Sequence, residues 1–288
     1  MRELVIISGK GGTGKTSLTA AFATLADNMV LCDTDVDAAD LHLLLAPVVR
    51  RETDFQGGRL AVIDGEKCVE CGYCQEVCRF EAVRSVDEGF EIDPLGCEGC
   101  GVCVDLCPEQ AIDFPLQTNG HWFISDTACG PMIHARLGIA EEQGRNLLLT
   151  DGPPGIGCPV IASVTGATAV VIVTEPTVSG LHDLERVAGL ASHFKVPALV
   201  IINRYDLNPE QAGGIETLVR DRGMSLVGTI PFDPAFTEAM VQGKTLLEYA
   251  PDGEVAGRLR EIWQRIMNSP AMQESKRDTQ FQIKRLNQ

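Results

Sequence analysis

The sequence predicts an α/β protein built on a parallel sheet and interrupted by a second, smaller domain. Short apolar runs ending in polar residues alternate with helix-like stretches, the pattern of a sheet buried on both faces. A Gly-rich loop follows the first of these runs directly. Between the second and third runs, eight cysteines fall in two copies of one spacing and break the alternation.

"RELVIIS" is apolar and β-branched, and reads as a buried strand entering the loop "SGKGGTGKT", Ser8 to Thr16. A helix is expected from near Lys15 through "TSLTAAFATLA". "MVLCDTD" is the second strand, ending in carboxylates; "NLLLTDG", "ATAVVIVTE" and "PALVIINR" repeat its style. Helices are expected over 180–194 and 208–222. Ligands of such a sheet lie at the C-terminal ends of its strands. The boundaries read from the sequence are 1–56 with 118–270 for this domain, 57–117 for the insert and 271–288 for a polar tail. A mobile tail is the simple reading of the last segment, and a membrane-surface helix built on Phe281, Ile283 and Leu286 the alternative.

The 288 residues carry a formal net charge of −16, which argues against a nucleic-acid scaffold, since phosphates select a basic face. The opening run lacks the pattern of a signal peptide, and no apolar run approaches the roughly 18 residues that span a bilayer. A cytoplasmic protein with reduced thiols is therefore expected, and its 11 cysteines point to metal rather than disulfides.

"IDGEKCVECGYCQEVCRFEAV" (63–83) maps onto "IDPLGCEGCGVCVDLCPEQAI" (92–112) with a constant offset of 29. Each copy reads C-x2-C-x2-C-x3-C: Cys68, Cys71, Cys74, Cys78, then Cys97, Cys100, Cys103, Cys107. This run resembles the two-cluster bacterial ferredoxins, in which the fourth cysteine ligates the other cluster. The resemblance implies a small ferredoxin-like α+β domain. It would hold one [4Fe–4S] cluster on Cys68, Cys71, Cys74 and Cys107, and another on Cys97, Cys100, Cys103 and Cys78. Pro108 follows Cys107 as in that pattern, whereas Arg79 replaces proline after Cys78. Two zinc sites are the alternative, but zinc ribbons lack the third and fourth cysteines at these spacings.

Gly9, Gly14, Lys15 and Thr16 satisfy the phosphate-loop pattern G-x-x-x-x-G-K-[ST]. The backbone N–H groups of Gly11, Gly12, Thr13, Gly14 and Lys15 can cradle phosphate oxygens at a helix N-terminus, with Ser17 two residues further on. Thr16 offers a hydroxyl to Mg²⁺. With its extra Lys10, the loop resembles the deviant Walker A motif of the MinD/ParA/nitrogenase iron protein class of P-loop ATPases. That resemblance implies a slow ATP hydrolase working as a homodimer, or as a heterodimer with a paralogous ATPase, with Lys10 reaching the partner's phosphates. It also assigns Asp35 of "DTDVD" to the attacking water, with Asp33 as a helper. Asp151 of "DGPPG" falls near Mg²⁺, Gly155 at the γ-phosphate, and Asn203, Asp206, Pro231 and Asp233 at adenine.

Of the remaining cysteines, Cys32 lies inside a strand and reads as a small core residue. Cys129 and Cys158 sit in segments resembling those of the nitrogenase iron protein that each give one ligand to a cluster shared across the dimer. Two ordinary buried thiols are the alternative, favoured by the frequency of cysteine in protein cores. His134 has no evident partner. The resemblances together imply an ATPase with Mg²⁺ and two [4Fe–4S] clusters that couples ATP turnover to electron transfer to a client metalloprotein. A cluster carrier or assembly factor like the Mrp-type relatives is the second expectation, and a positioning ATPase of the MinD/ParA type the third.

Overall fold

A computed structural model of the chain describes residues 1–35, 38–47, 49–87, 89–94, 96–125, 128–129 and 144–273; the side chains of 49–57 and 118–129 are outside that description. The tail residues Phe281, Ile283 and Leu286 and His134 lie outside the described residues. The chain divides into two compact units, Met1–Arg51 with Phe123–Gln288, and Glu52–Trp122.

The larger unit is organised by β1 (Arg2–Ser8), buried from Glu3 onward around the apolar run Leu4–Ile7, as a central strand is. It pairs in parallel with β10 (Leu147–Pro154) on one side and β11 (Ala169–Thr174) on the other. β2 (Met29–Asp33) extends the sheet beyond β10, and β12 (Ala198–Asn203) and β13 (Ser225–Ile230) extend it beyond β11. The two-residue β9 (Ala128–Cys129) lies parallel to β2. The strands β3 (Val49–Arg59) and β8 (Leu116–Ser125) carry the chain from this unit to the other and back.

Alternate residues of these strands feed two cores. Leu4, Ile6, Leu31, Leu149 and Val171 face α1 (Lys15–Leu25) and α10 (Glu254–Met267), where Phe22 stacks on Trp263 at 5.4 Å. Val5, Ile7, Val170, Ile172 and Val200 face α5 (Cys158–Val164), α6 (Val178–His193) and α7 (Pro209–Asp221). Burying both faces removes most apolar side chains of these strands from water, about 25 cal/mol for each Å² covered. It also leaves only the strand ends to carry polar chemistry. In register, Ser8 stands opposite Val173, and Asp151 opposite Asp33. Gly152 is required there, because a Cβ would stand 2.7 Å from Ile7 Cγ2 and 3.0 Å from the Ile6 carbonyl.

The smaller unit repeats itself. β4 (Val62–Ile63) pairs antiparallel with β7 (Ile112–Asp113), and β5 (Val83–Val86) with β6 (Gly89–Ile92). The single-turn helices α3 (Tyr73–Val77) and α4 (Val102–Asp105) begin at left-handed glycines, Gly72 and Gly101. Left-handed Glu70 and Glu81 recur 29 residues later as Gly99 and Gln110. The halves also exchange hydrogen bonds reciprocally: Asp64 N donates to Ala111 O at 2.8 Å and Asp93 N to Ala82 O at 2.7 Å. The sequence repeat is therefore a structural one. Among the described residues Ala61, Val83, Ile92 and Ile112 form a small buried apolar cluster, with Ala82 and Ala111 also buried and cysteines packed around the cluster.

Candidate functional site

The phosphate loop joins β1 to α1, and its last glycine sets the geometry. Gly14 is left-handed (φ 88°), and a Cβ on it would lie 2.6 Å from Asn203 Nδ2. That amide donates to Thr13 O at 2.8 Å, tying the end of β12 to the loop. Lys15 is buried, with Nζ 3.0 Å from Asp151 Oδ2 and 3.7 Å from Asp35 Oδ2. The Thr16 hydroxyl donates to Asp151 Oδ2 and that of Thr19 to Asp151 Oδ1, each at 2.8 Å. Thr34 holds the Asp151 carbonyl through its N–H at 2.8 Å and its hydroxyl at 3.0 Å. A fully buried carboxylate thus keeps its place through one cation and two hydroxyls.

Burial pushes the Asp151 carboxyl above its usual range, against Lys15, Thr19 and Thr16. Asp33 is pushed up to about 7, first by burial and then by the Asp151 charge. Its two oxygens accept from Asp35 N and Leu41 N, both at 3.1 Å. In this arrangement Asp33 braces the backbone that presents Asp35. Asp35 is buried, and its Oδ1 has no hydrogen-bond partner, as is also true of Thr13 Oγ1. Buried polar atoms without a partner call for one, and a bound phosphate or cation would supply it here. The set Lys15, Thr16, Asp35 and Asp151 therefore fits a nucleotide phosphate with an oxygen-seeking cation.

Lys10 points elsewhere. Its Nζ lies 2.7 Å from Glu175 Oε1 of the same chain and donates to Ser179 Oγ at 3.2 Å and Thr177 Oγ1 at 3.4 Å. The Gly155 N–H, expected at the γ-phosphate, donates to Ser8 O at 2.8 Å. A pocket of about 450 Å³ is lined by Asn203, Pro231 and Asp233 together with Gly14, Ser17 and Arg204. Asp206 is not on that lining; its Oδ1 accepts from Phe232 N at 2.7 Å, so it shapes the wall from behind. Sequence reasoning missed Thr19, Thr34, Glu175 and Arg204. Glu175 directly follows β11, a carboxylate just past an apolar strand as Asp33 is at the end of β2, and that position was the available signal.

In the smaller unit, Cys68, Cys71, Cys74 and Cys107 line one pocket of about 360 Å³, beside Val69 and Tyr73. Burial raises the Cys74 thiol, and the neighbouring Cys68 and Cys71 add to the rise. Cys103 is raised in the same way, with Cys100, Cys97 and Cys78 as the neighbours that act on it. All eight are free of disulfides. Two groups of four thiols, each drawing its fourth member from the other half, fit iron–sulfur ligation. Among the described residues no three His, Cys, Asp or Glu side chains converge as ligands of a single metal ion.

Cys158 opens α5 and is exposed. Cys129 lies on β9 in register with Cys32, and its side chain falls outside the described residues. Cys32 is buried as a core residue would be, but it is disulfide-bonded, which corrects the expectation that every thiol stays reduced. Among the described residues no helix is long and apolar enough to cross a membrane.

Comparison with known proteins places this geometry. An uncharacterised protein of Methanocaldococcus jannaschii is 33% identical over 224 residues, covering 72% of this chain and 79% of that protein. A putative septum site-determining protein MinD of Oltmannsiellopsis viridis is 27% identical over 241 residues, 81% of this chain and 65% of its own. Among solved structures, the MinD cell division protein of Aquifex aeolicus superposes with a TM-score of 0.57 at 21% identity, over 93% of this chain and 98% of that one, a likeness of fold. The family model described as the CobQ/CobB/MinD/ParA nucleotide binding domain matches residues 4–246, and the chain belongs to that family.

Proposed function

We propose that the protein is a Mg²⁺-ATP-dependent, dimerising ATPase whose smaller unit holds two [4Fe–4S] clusters, and that ATP turnover gates electron transfer to a client metalloprotein. The observation that carries this is the conjunction in one chain of a nucleotide site with an orphaned catalytic carboxylate and eight free cysteines grouped in two cross-half fours. Thr16 and Asp151 would hold Mg²⁺, and Lys15 would neutralise the β- and γ-phosphates. Asp35 Oδ1 accepts the proton of the attacking water as oxygen bonds to the γ-phosphorus and the bond to ADP breaks. Lys10, leaving Glu175, meets the charge on the transferred group in the partner subunit.

Bound between the two halves, the clusters would supply one-electron redox chemistry. A core of six buried apolar residues, three of them alanines, is thin for a unit of this length, so cluster binding would also help to stabilise it. The second cysteine of each run, Cys71 and Cys100, is exposed, which supports electron exchange at the surface and also the reading of a cluster carrier. A positioning role is favoured by the name of the MinD relative, and it gives the cysteine unit no task. A further cluster shared across the dimer on Cys129 and Cys158 would raise iron to about ten per chain, with the surplus only in dimers.

The test is the oxidation rate of the dithionite-reduced protein by a dye acceptor, with and without Mg²⁺-ATP, alongside sedimentation. The reading predicts an ATP-dependent rate and an ATP-dependent dimer, both lost in Lys10→Ala. An oxidation rate indifferent to ATP in a protein that does dimerise would refute gating.

A further inference from the structure

We propose that Glu175 is a positioning residue that holds Lys10 within its own subunit and so sets the ATP concentration at which two subunits close. This rests on the dimerising-ATPase reading above and adds a residue to it. The three side chains involved come from three adjacent strand ends: Lys10 after β1, Glu175 after β11 and Arg204 after β12. Glu175 Oε1 is 2.7 Å from Lys10 Nζ, and its Oε2 is 3.1 Å from Arg204 Nη1. The carboxylate is 14% exposed and Lys10 32%, so the pair is partly shielded from water. Thr177 and Ser179 complete the seat for the ammonium.

The seat is also rigid. Thr177 N donates to Glu175 O at 2.8 Å, and Thr177 Oγ1 caps α6 through Gly180 N at 2.9 Å. Gly180 packs so closely that a Cβ would lie 2.2 Å from the Glu175 carbonyl. Lys10 can reach a partner's phosphates only by leaving this seat, and the phosphates must outcompete Glu175 for it. Departure does not strand the carboxylate, because Arg204 stays on its other oxygen. Removing a partner from a half-buried charge is costly when nothing replaces it, so Arg204 lowers the cost of release. The two residues therefore act in opposite directions: Glu175 restrains Lys10, and Arg204 eases its departure.

The experiment uses the full-length protein and measures dimerisation against Mg²⁺-ATP concentration by sedimentation, with monomer affinity for a fluorescent ATP analogue measured separately. A partly exposed ion pair is worth up to about fivefold, and two pairs in a symmetric dimer multiply to about twenty-fivefold. Glu175→Gln should therefore strengthen ATP-dependent dimerisation by roughly that factor, with analogue binding to the monomer changed less than about twofold. Arg204→Gln should weaken dimerisation, and in a Glu175→Gln background it should do nothing further. Arg204 also lines the base pocket; an equal loss in both backgrounds would place its effect there and overturn the coupling. An unchanged threshold in Glu175→Gln, with dimerisation still lost in Lys10→Ala, overturns this inference alone. Dimerisation that survives Lys10→Ala overturns the dimer reading beneath it.

Discussion

Replacing Gly14 with alanine tests how the phosphate loop and the end of β12 are joined. An L-residue at φ 88° costs about 1–2 kcal/mol of backbone strain. The added methyl would stand 2.6 Å from Asn203 Nδ2, so the buried amide must turn away and release Thr13 O. Losing that hydrogen bond with a buried group left unpaired costs about 1–3 kcal/mol. The sum is about 2–5 kcal/mol, a large share of the stability of a domain. Gly11→Ala is the internal control, because a Cβ there meets nothing within 4 Å and its φ is not left-handed. Urea unfolding followed through the buried Trp263, together with binding of a fluorescent ATP analogue, reads both variants. Gly14→Ala should lower the unfolding midpoint and weaken nucleotide binding at least tenfold, about 1.4 kcal/mol or more. Gly11→Ala should shift the midpoint by less than about 0.5 kcal/mol. Equal midpoints for the two variants would refute the claim that Asn203 braces the loop.

Three further outcomes follow from the same geometry. Folded Asp33 keeps its proton up to about pH 7, whereas the ordinary carboxylate value is 3.8. The native state therefore binds more protons between those values, and Asp33 makes stability fall as pH rises through that window, by up to about 4 kcal/mol. Asp33→Asn should flatten the decline in metal-free and nucleotide-free buffer; parallel pH profiles for variant and wild type would contradict the assignment. Thr19→Val removes a buried donor from Asp151 Oδ1 and should destabilise the larger unit by about 1–3 kcal/mol, seen as a lower unfolding midpoint. Cys97→Ser should lower bound iron from about eight to about four per chain without changing ATP-analogue affinity; a variant that retains the full complement would remove Cys97 from the ligand set.

Much of the larger unit was legible because strands buried on both faces must be written as uninterrupted apolar runs. The centres of β1, β10, β11 and β12 are, with Ser8, Thr174 and Asn203 ending their strands and Thr150 and Asp151 following the Leu147–Leu149 run of β10. The loop glycines could be read for the same reason, since phosphate binding restricts residue type tightly. The smaller unit announced itself through spacing: the offset of 29 reappears in left-handed backbone positions and reciprocal hydrogen bonds. Less legible was the division of labour among carboxylates. Asp33 and Asp35 look alike in the sequence, yet one is spent on two backbone N–H groups and the other keeps a bare oxygen. Thr19 was invisible because a helical threonine commonly bonds its own backbone. Only the approach of β10 to α1 turns that hydroxyl to Asp151. The edges of the insert were read as 57 and 117, whereas the compact unit runs from Glu52 to Trp122. The segments crossing those edges, "RRETDFQGG" among them, are charged and Gly-rich and lack the alternation that marks a strand. The cis partnership of Lys10 with Glu175 could not be read either, because it depends on the order of strands in the sheet.

The most direct test of the central claim is iron and acid-labile sulfide per chain in anaerobically purified protein, with the EPR spectrum of its reduced form recorded with and without Mg²⁺-ATP. The account predicts about eight irons and eight sulfides, with paired signals from two neighbouring centres that change when ATP is added. Protein that purifies folded, binds ATP and carries zinc or no metal on its cysteines would contradict it.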